Sequence, residues 1–166
     1  TTPPYENDDA TISANLRWYL ANSMYRKERD AGVDERKIVF ASIHCDALFN
    51  ETLRGAMIYV PGAKYRSDIE KPSNPIYNRF QEAREQRASA TDAASRRRDE
   101  ALSRNFAEEV LAALRANHPP IKVHSAGDPI RNVIRQKGGK AYVPAVLRNA
   151  LAPTKILVEC ANLTNP

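Results

Sequence analysis

A single α/β domain, one sheet flanked by helices, is the fold predicted by three patterns in this sequence. Two short β-branched runs, Ile38 to Ile43 and Lys155 to Glu159, read as buried strands. Apolar residues recur at helical spacing in two longer stretches, at Ile12, Leu16, Tyr19, Leu20 and Met24 and again at Leu102, Phe106, Val110, Leu111 and Leu114. The chain's 166 residues, 42% of them apolar, suffice for one core of ordinary size.

Taken in order, residues 1 to 10 form a polar lead-in, and Thr11 to about Arg29 a helix that Ala31-Gly32 ends. The Ile38 to Ile43 strand follows, then a second strand from Gly55 to Val60 closed by Pro61-Gly62, then a loop as far as Pro75. Between Ile76 and His118 there is neither Gly nor Pro, which predicts one long helical segment or two abutting helices. Its first half, Arg79 to Asp99, is polar nearly all round with Phe80 the only large apolar residue, so residues 76–102 are expected to project from the body or pack lightly. Arg96-Arg97-Arg98 within it reads as a solvated helix face. Pro119-Pro120 then breaks the helix before a short strand, Ile121 to His124. Asp128 to Gln136 reads as a short helix and Gly138-Gly139 as a loop. Val143 to Asn149 and Lys155 to Glu159 supply two further extended runs.

Both strong strands end in a reactive side chain. Open α/β sheets hold their ligands at the carboxyl edge, so His44 and Glu159 could meet there. A lone His after a strand is more often a hydrogen-bonded structural residue than a metal ligand. Glu159 is more telling, because an ionised carboxylate closing a buried run implies a nearby cation, a hydrogen-bond cluster or a catalytic cleft. Cys45 and Cys160 directly follow these two residues and should point to the opposite face of the sheet. Buried packing is expected of them, with a disulfide only if the two strand ends adjoin.

Net charge is +5, and residues 119 to 166 supply all of it, with seven Lys/Arg against Asp128 and Glu159. Such a stretch suits an anionic partner or forms a solvated basic face. No aromatic-interleaved basic motif accompanies it, so nucleic acid is not expected. No run approaches the ~20 apolar residues of a membrane helix, and no P-loop or dinucleotide Gly motif is present. The opening Thr1-Thr2-Pro3-Pro4, without a Met, reads as the start of a processed or excised piece.

The motifs, in order, resemble the zinc-dependent N-acetylmuramoyl-L-alanine amidases of the Amidase_3 type. Arg17-x-x-x-Ala21-Asn22 is similar to that family's R-x-x-x-A-N helix, and Ser42-Ile43-His44-Cys45-Asp46-Ala47 to its S-I-H-x-[DN]-A strand end. Arg54 to Val60 resembles the following G-x-x-V-Y strand, and Ser103-x-x-Phe106-Ala107 the S-x-x-L-A helix. Val146-Leu147-Arg148, Pro153 and Ile156-Leu157-Val158-Glu159, with Leu163 to Pro166 beyond, resemble the closing V-L-R … P-x-x-L-V-E-x-x-F-x-x-N pattern. The family's first zinc His, in a G-H-G-G turn, and a helix-opening Glu precede the first of these motifs; neither is in this sequence.

The resemblance implies a peptidoglycan hydrolase that cuts between N-acetylmuramic acid and L-alanine, in full or as its C-terminal portion, in a periplasmic or extracellular setting. It implies zinc as cofactor, His44 as a ligand and Glu159 as the catalytic acid/base. Arg148 is the candidate contact for the peptide-stem carboxylate, since a guanidinium fork suits that partner. Of the other histidines, His124 is a better candidate ligand than His118, whose helix-end position suits a cap. Residues 76–102 fall where some of these amidases carry an inserted helix that an activator protein withdraws, and Glu82 or Glu85 could serve as a temporary zinc ligand. A monomer is expected. The alternative from a different class is a non-catalytic peptidoglycan-binding or regulatory module that has lost the zinc site.

Overall fold

The computed structural model describes residues 9–46, 54–69, 71, 74–124, 128–135 and 139–164, with the side chains of 9–11 and 46 left out. Most of the 1 to 10 lead-in, Ala47, Gly138 and Asn165-Pro166 lie outside the described residues. The expected α/β architecture is present. A mixed four-stranded sheet has the order β1-β6-β2-β3, formed by Val39–Asp46, Thr154–Asn162, Met57–Tyr59 and Ile130–Arg131. Strand β1 runs parallel to β6, β6 antiparallel to β2, and β2 parallel to β3. A small hairpin, β4 (Ile134–Arg135) with β5 (Ala141–Tyr142), stands apart from this sheet.

Helix α1, Asp9–Asp30, covers one face of the sheet together with the one-turn α4, Ala145–Arg148. Trp18, Tyr19 and Leu147 pack there on Met57, Tyr59 and Leu157. Helix α3, Ala93–Ala116, covers the other face, where Ala107 and Leu111 pack on Ile58, Val60, Ile130, Ile156 and Val158. Even and odd positions of the central strands are thus both buried, as expected of a sheet sandwiched between helices. Gly32, at φ +86°, ends α1 in the left-handed conformation that glycine adopts without strain.

The buried face of α1 differs from the expected stripe. Ile12, Leu16 and Tyr19 turn inward, but Leu20 is 50% and Met24 58% exposed. Asn22 and Ser23 are buried instead. The reason is a clamp: Asn22 Oδ1 accepts from Leu151 N at 2.7 Å, while its Nδ2 donates to Asn149 O at 2.9 Å and Gln86 Oε1 at 3.0 Å. One amide side chain therefore ties α1 to the turn that enters β6 and to the segment after α2 (Gln81–Arg84).

Residues 76–118 are not one helix. A 3-10 turn over Pro75–Arg79, α2 and the long α3 are separated by an extended stretch whose Ser89 pairs with Ile69. The break is set locally, because Asp92 caps α3 by accepting from Ala94 N and Ser95 N. Nor does the first part project. Tyr77, Ala83 and Gln86 are buried, with Tyr77 and Ala83 in the α1 core. Three shorter readings also change: of the Asp128 to Gln136 run, whose last residue lies outside the described residues, 128–135 holds β3 and β4 rather than a helix, Val143 to Asn149 contains α4 rather than a strand, and Ile121 to His124 contributes only a bridge between Val123 and Ala56.

Beneath α3 lies a buried ionic cluster. Asp99 Oδ2 accepts from Arg66 Nη1 at 2.8 Å and sits 3.7 Å from Lys155 Nζ, which donates to Ala150 O at 2.7 Å. Burial pushes the Lys155 ammonium down to about 7; Arg66 pushes the same way and Asp99 opposes. With the unfolded lysine at 10.5, the unfolded chain holds more protons between about pH 7 and 10.5, so stability should rise with pH in that window. Urea midpoints are expected to climb from about pH 7 to 9, and Lys155→Met should flatten the climb; a wild-type midpoint that stays level over this range contradicts the assignment. For the clamp, Asn22→Ala leaves buried partners unpaired and should cost about 2–3 kcal/mol in the same assay.

Candidate functional site

The strand register brings His44 and Glu159 side by side. In the β1–β6 pairing His44 lies opposite Glu159, and in the β6–β2 pairing Glu159 lies opposite Met57. Directly opposed residues of neighbouring strands point to the same face. The two side chains therefore share the α1 face, at the carboxyl ends of two parallel strands. Ser42, two residues back on that face, is buried and places its Oγ 2.9 Å from His44 Nε2, which orients the ring. A β-bulge immediately follows, between His44 and Asp46.

His124 joins the same row from the other side. Ala56 N donates to Lys122 O and His124 N to Ala56 O, both at 2.8 Å, so the 122–124 segment lies along β2. Val123 packs with the α3-side cluster, which puts His124 on the α1 face beside Met57. Gly55 makes this approach possible: at φ +98°, a Cβ there would fall 2.9 Å from the Lys122 carbonyl oxygen. The His124 ring is buried, and neither ring nitrogen has a hydrogen-bond partner among the described residues. Burial, then Arg131, pushes its pKa down. His118 is exposed, just beyond the end of α3.

Glu159 opens into a cleft of about 660 Å³. Its walls carry Arg104 from α3, Arg131 from β3 and Arg135 from β4, with Tyr59 and Tyr142 as aromatic surfaces. Arg104 pairs with Asp128 at 3.6 Å, and Asn132 is held by donating to Glu100 at 2.8 Å. Residue by residue, the sequence gives no sign of these arginines, although the excess of basic residues after position 119 points to the neighbourhood of Arg131 and Arg135.

Arg148 is not brought to this cleft. It lines a separate cavity with Asn15, Trp18, Asp68, Tyr77 and Asn149, of which Glu159 is not part. Glu85 is also elsewhere, accepting from Ser23 on α1 at 3.3 Å and from Gln81 at 2.6 Å. Glu82 belongs to the same short helix and does not line the Glu159 cleft.

The cysteines correct the expectation of buried packing. The strand ends do adjoin, yet Cys45 and Cys160 are exposed free thiols. Helix α3 packs on β6, β2 and β3 but leaves the outer face of β1 open, so Val39 and Ile43 on that face are 45% and 66% exposed. The Cys160 thiol is pushed up by partial burial, then by its neighbours Cys45 and Glu159.

Among the described residues, no group of three or more His, Cys, Asp or Glu is placed to hold a metal, and no helix is long and apolar enough to cross a membrane. No family model matches the chain, and no curated protein matches it in sequence.

The depressed His124 pKa has a measurable consequence. As pH falls below the ordinary value of 6.5, the unfolded chain takes up a proton at this histidine before the folded chain does, so stability is lost on acidification through that region. His124→Leu should remove that part of the loss. Equal slopes of urea midpoint against pH for wild type and variant, between about pH 5 and 7, would show that His124 is not buried in the neutral form.

Proposed function

We propose that the chain carries the acid/base half of a peptidoglycan amidase, cutting the amide bond between N-acetylmuramic acid and L-alanine in the cell envelope. The observation that carries this reading is the opposition of His44 and Glu159 on adjacent parallel strands, with Glu159 opening into a cleft of a size that admits a sugar-peptide junction. The collinear amidase-like motifs support it from the sequence side.

In this reading the Glu159 carboxylate accepts a proton from the attacking water and delivers it to the amide nitrogen as the carbon–nitrogen bond breaks. Ser42 holds the His44 ring in one orientation, as a metal-donor histidine requires of its surroundings. A catalytic zinc, which would activate that water, needs three protein donors. His44 is one. The described residues do not by themselves complete such a site.

Zymography on purified sacculi with added zinc tests the reading directly. Glu159→Gln is expected to lower hydrolysis by about 10²–10⁴-fold, the usual contribution of a positioned acid/base. His44→Ala should remove both activity and bound zinc. Full activity in either variant removes the corresponding role. Retention on sacculi with no hydrolysis and no zinc in the intact protein favours the second reading, a wall-binding or regulatory module.

A further inference from the structure

We propose that Arg131 and Arg135 form a carboxylate-reading subsite in the Glu159 cleft, one that takes the free carboxylate of a peptide attached to a sugar. The proposal rests on the amidase reading for the identity of that peptide, but its physical basis is the cleft itself. Arg104 is already committed to Asp128. Among the described residues, neither Arg131 nor Arg135 has an acidic partner, and both line the same cavity as Glu159. Arg131 is half-buried on β3, opposite Tyr59 in the register. A guanidinium partly withdrawn from water with no counter-ion is costly to hold, and a ligand anion relieves that cost.

The balance of charge selects the kind of anion. Three guanidiniums face two carboxylates in the cleft, an excess of one positive charge. A single carboxylate on an otherwise neutral body matches that excess and can be gripped by two parallel N–H···O bonds from one guanidinium. A polyphosphate chain running through the cleft would instead meet Glu159 and Asp128 at close range. Tyr142, exposed at the rim, adds a flat apolar face of the sort on which a sugar ring packs. Arg148, in its separate cavity, cannot share this task with Glu159.

The test uses N-acetylmuramyl-L-alanyl-D-isoglutamine as the free acid, with its one carboxylate on an otherwise neutral body, and with that carboxylate converted to a carboxamide. Binding of each to the full chain is measured calorimetrically in metal-free buffer. Wild type should bind the free acid about tenfold more tightly, a preference lost in Arg131→Gln/Arg135→Gln and reduced in Arg131→Lys, which keeps the charge but not the fork. Arg135→Gln alone, at an exposed position, should reduce the preference without disturbing the fold. Equal binding of the two forms by wild type, or a preference that survives the double substitution, overturns the subsite; if sacculi are still bound and cleaved, the amidase reading stands without it. Should neither muropeptide bind while an oligonucleotide is retained in an Arg131-dependent manner, the subsite and the peptidoglycan reading fall together.

Discussion

The parallel pairing of β1 with β6 is the constraint on which the remaining architecture depends. Its register runs from Val39 opposite Thr154 to His44 opposite Glu159. Because side chains alternate along a strand, a slip of one residue would send His44 and Glu159 to opposite faces and expose the core positions of β6 to the wrong helix. Strand β6 is the middle element: β1 flanks it on one side and β2 on the other, and residues Thr154 to Val158 are buried without interruption. Everything at the candidate site is therefore measured from β6.

What fixes that strand is polar rather than apolar. Ser103 of α3 is fully buried, and its Oγ accepts from Lys155 N at 3.0 Å while donating to Pro153 O at 3.4 Å. Asn22 of α1 grips the turn a few residues earlier through Asn149 and Leu151. One helix on each face thus holds the same entrance to β6 by directed hydrogen bonds, which, unlike hydrophobic contacts, specify position to within a few tenths of an ångström. The Asp99–Arg66–Lys155 cluster adds a third tie from α3. Buried ions of this kind add little net stability over apolar residues of similar size. Their effect here is to penalise any shift of α3 along the strand, because a shift would strand Lys155 among groups that cannot compensate it.

Much of this is legible in the residues. The strands ending in His44 and Glu159 declare themselves by β-branched runs, and Asn22 and Ser103 stand out as small polar residues inside otherwise helical patterns. The segments that depart from expectation share a physical cause, dominance of tertiary contacts over local preference. Residues 128 to 135 show no strong period of their own, and pairing with β2 and then with β5 decides their conformation. Val143 to Asn149 is β-branched enough to suggest a strand, yet Pro144 opens a helical turn whose Val146 and Leu147 pack into the α1 core. The polar stretch around Arg79 to Asp99 is docked through Tyr77, Ala83 and Gln86, two of which no hydrophobicity scale would weight heavily. The cleft positions of Arg131 and Arg135 are invisible in the sequence because strands too short to recognise place them there.

The two sides of the candidate site differ in how completely they are built. From Glu159 towards β2, β3 and the β4–β5 hairpin, the wall is continuous and holds the arginines and tyrosines of the cleft. From Glu159 towards His44 the described sheet ends at β1, whose outer face exposes Val39, Ile43 and Cys45. An apolar groove of about 310 Å³ runs beside it, lined by Leu20, Met24, Val39 and Phe40. Under the proposed reading this asymmetry divides the work: the finished side recognises the substrate and supplies the acid/base, while further donors to a metal at His44 would have to approach across the β1 edge. Substitutions in the cleft and substitutions along β1 should therefore separate substrate recognition from metal binding, since the two groups touch Glu159 from opposite directions.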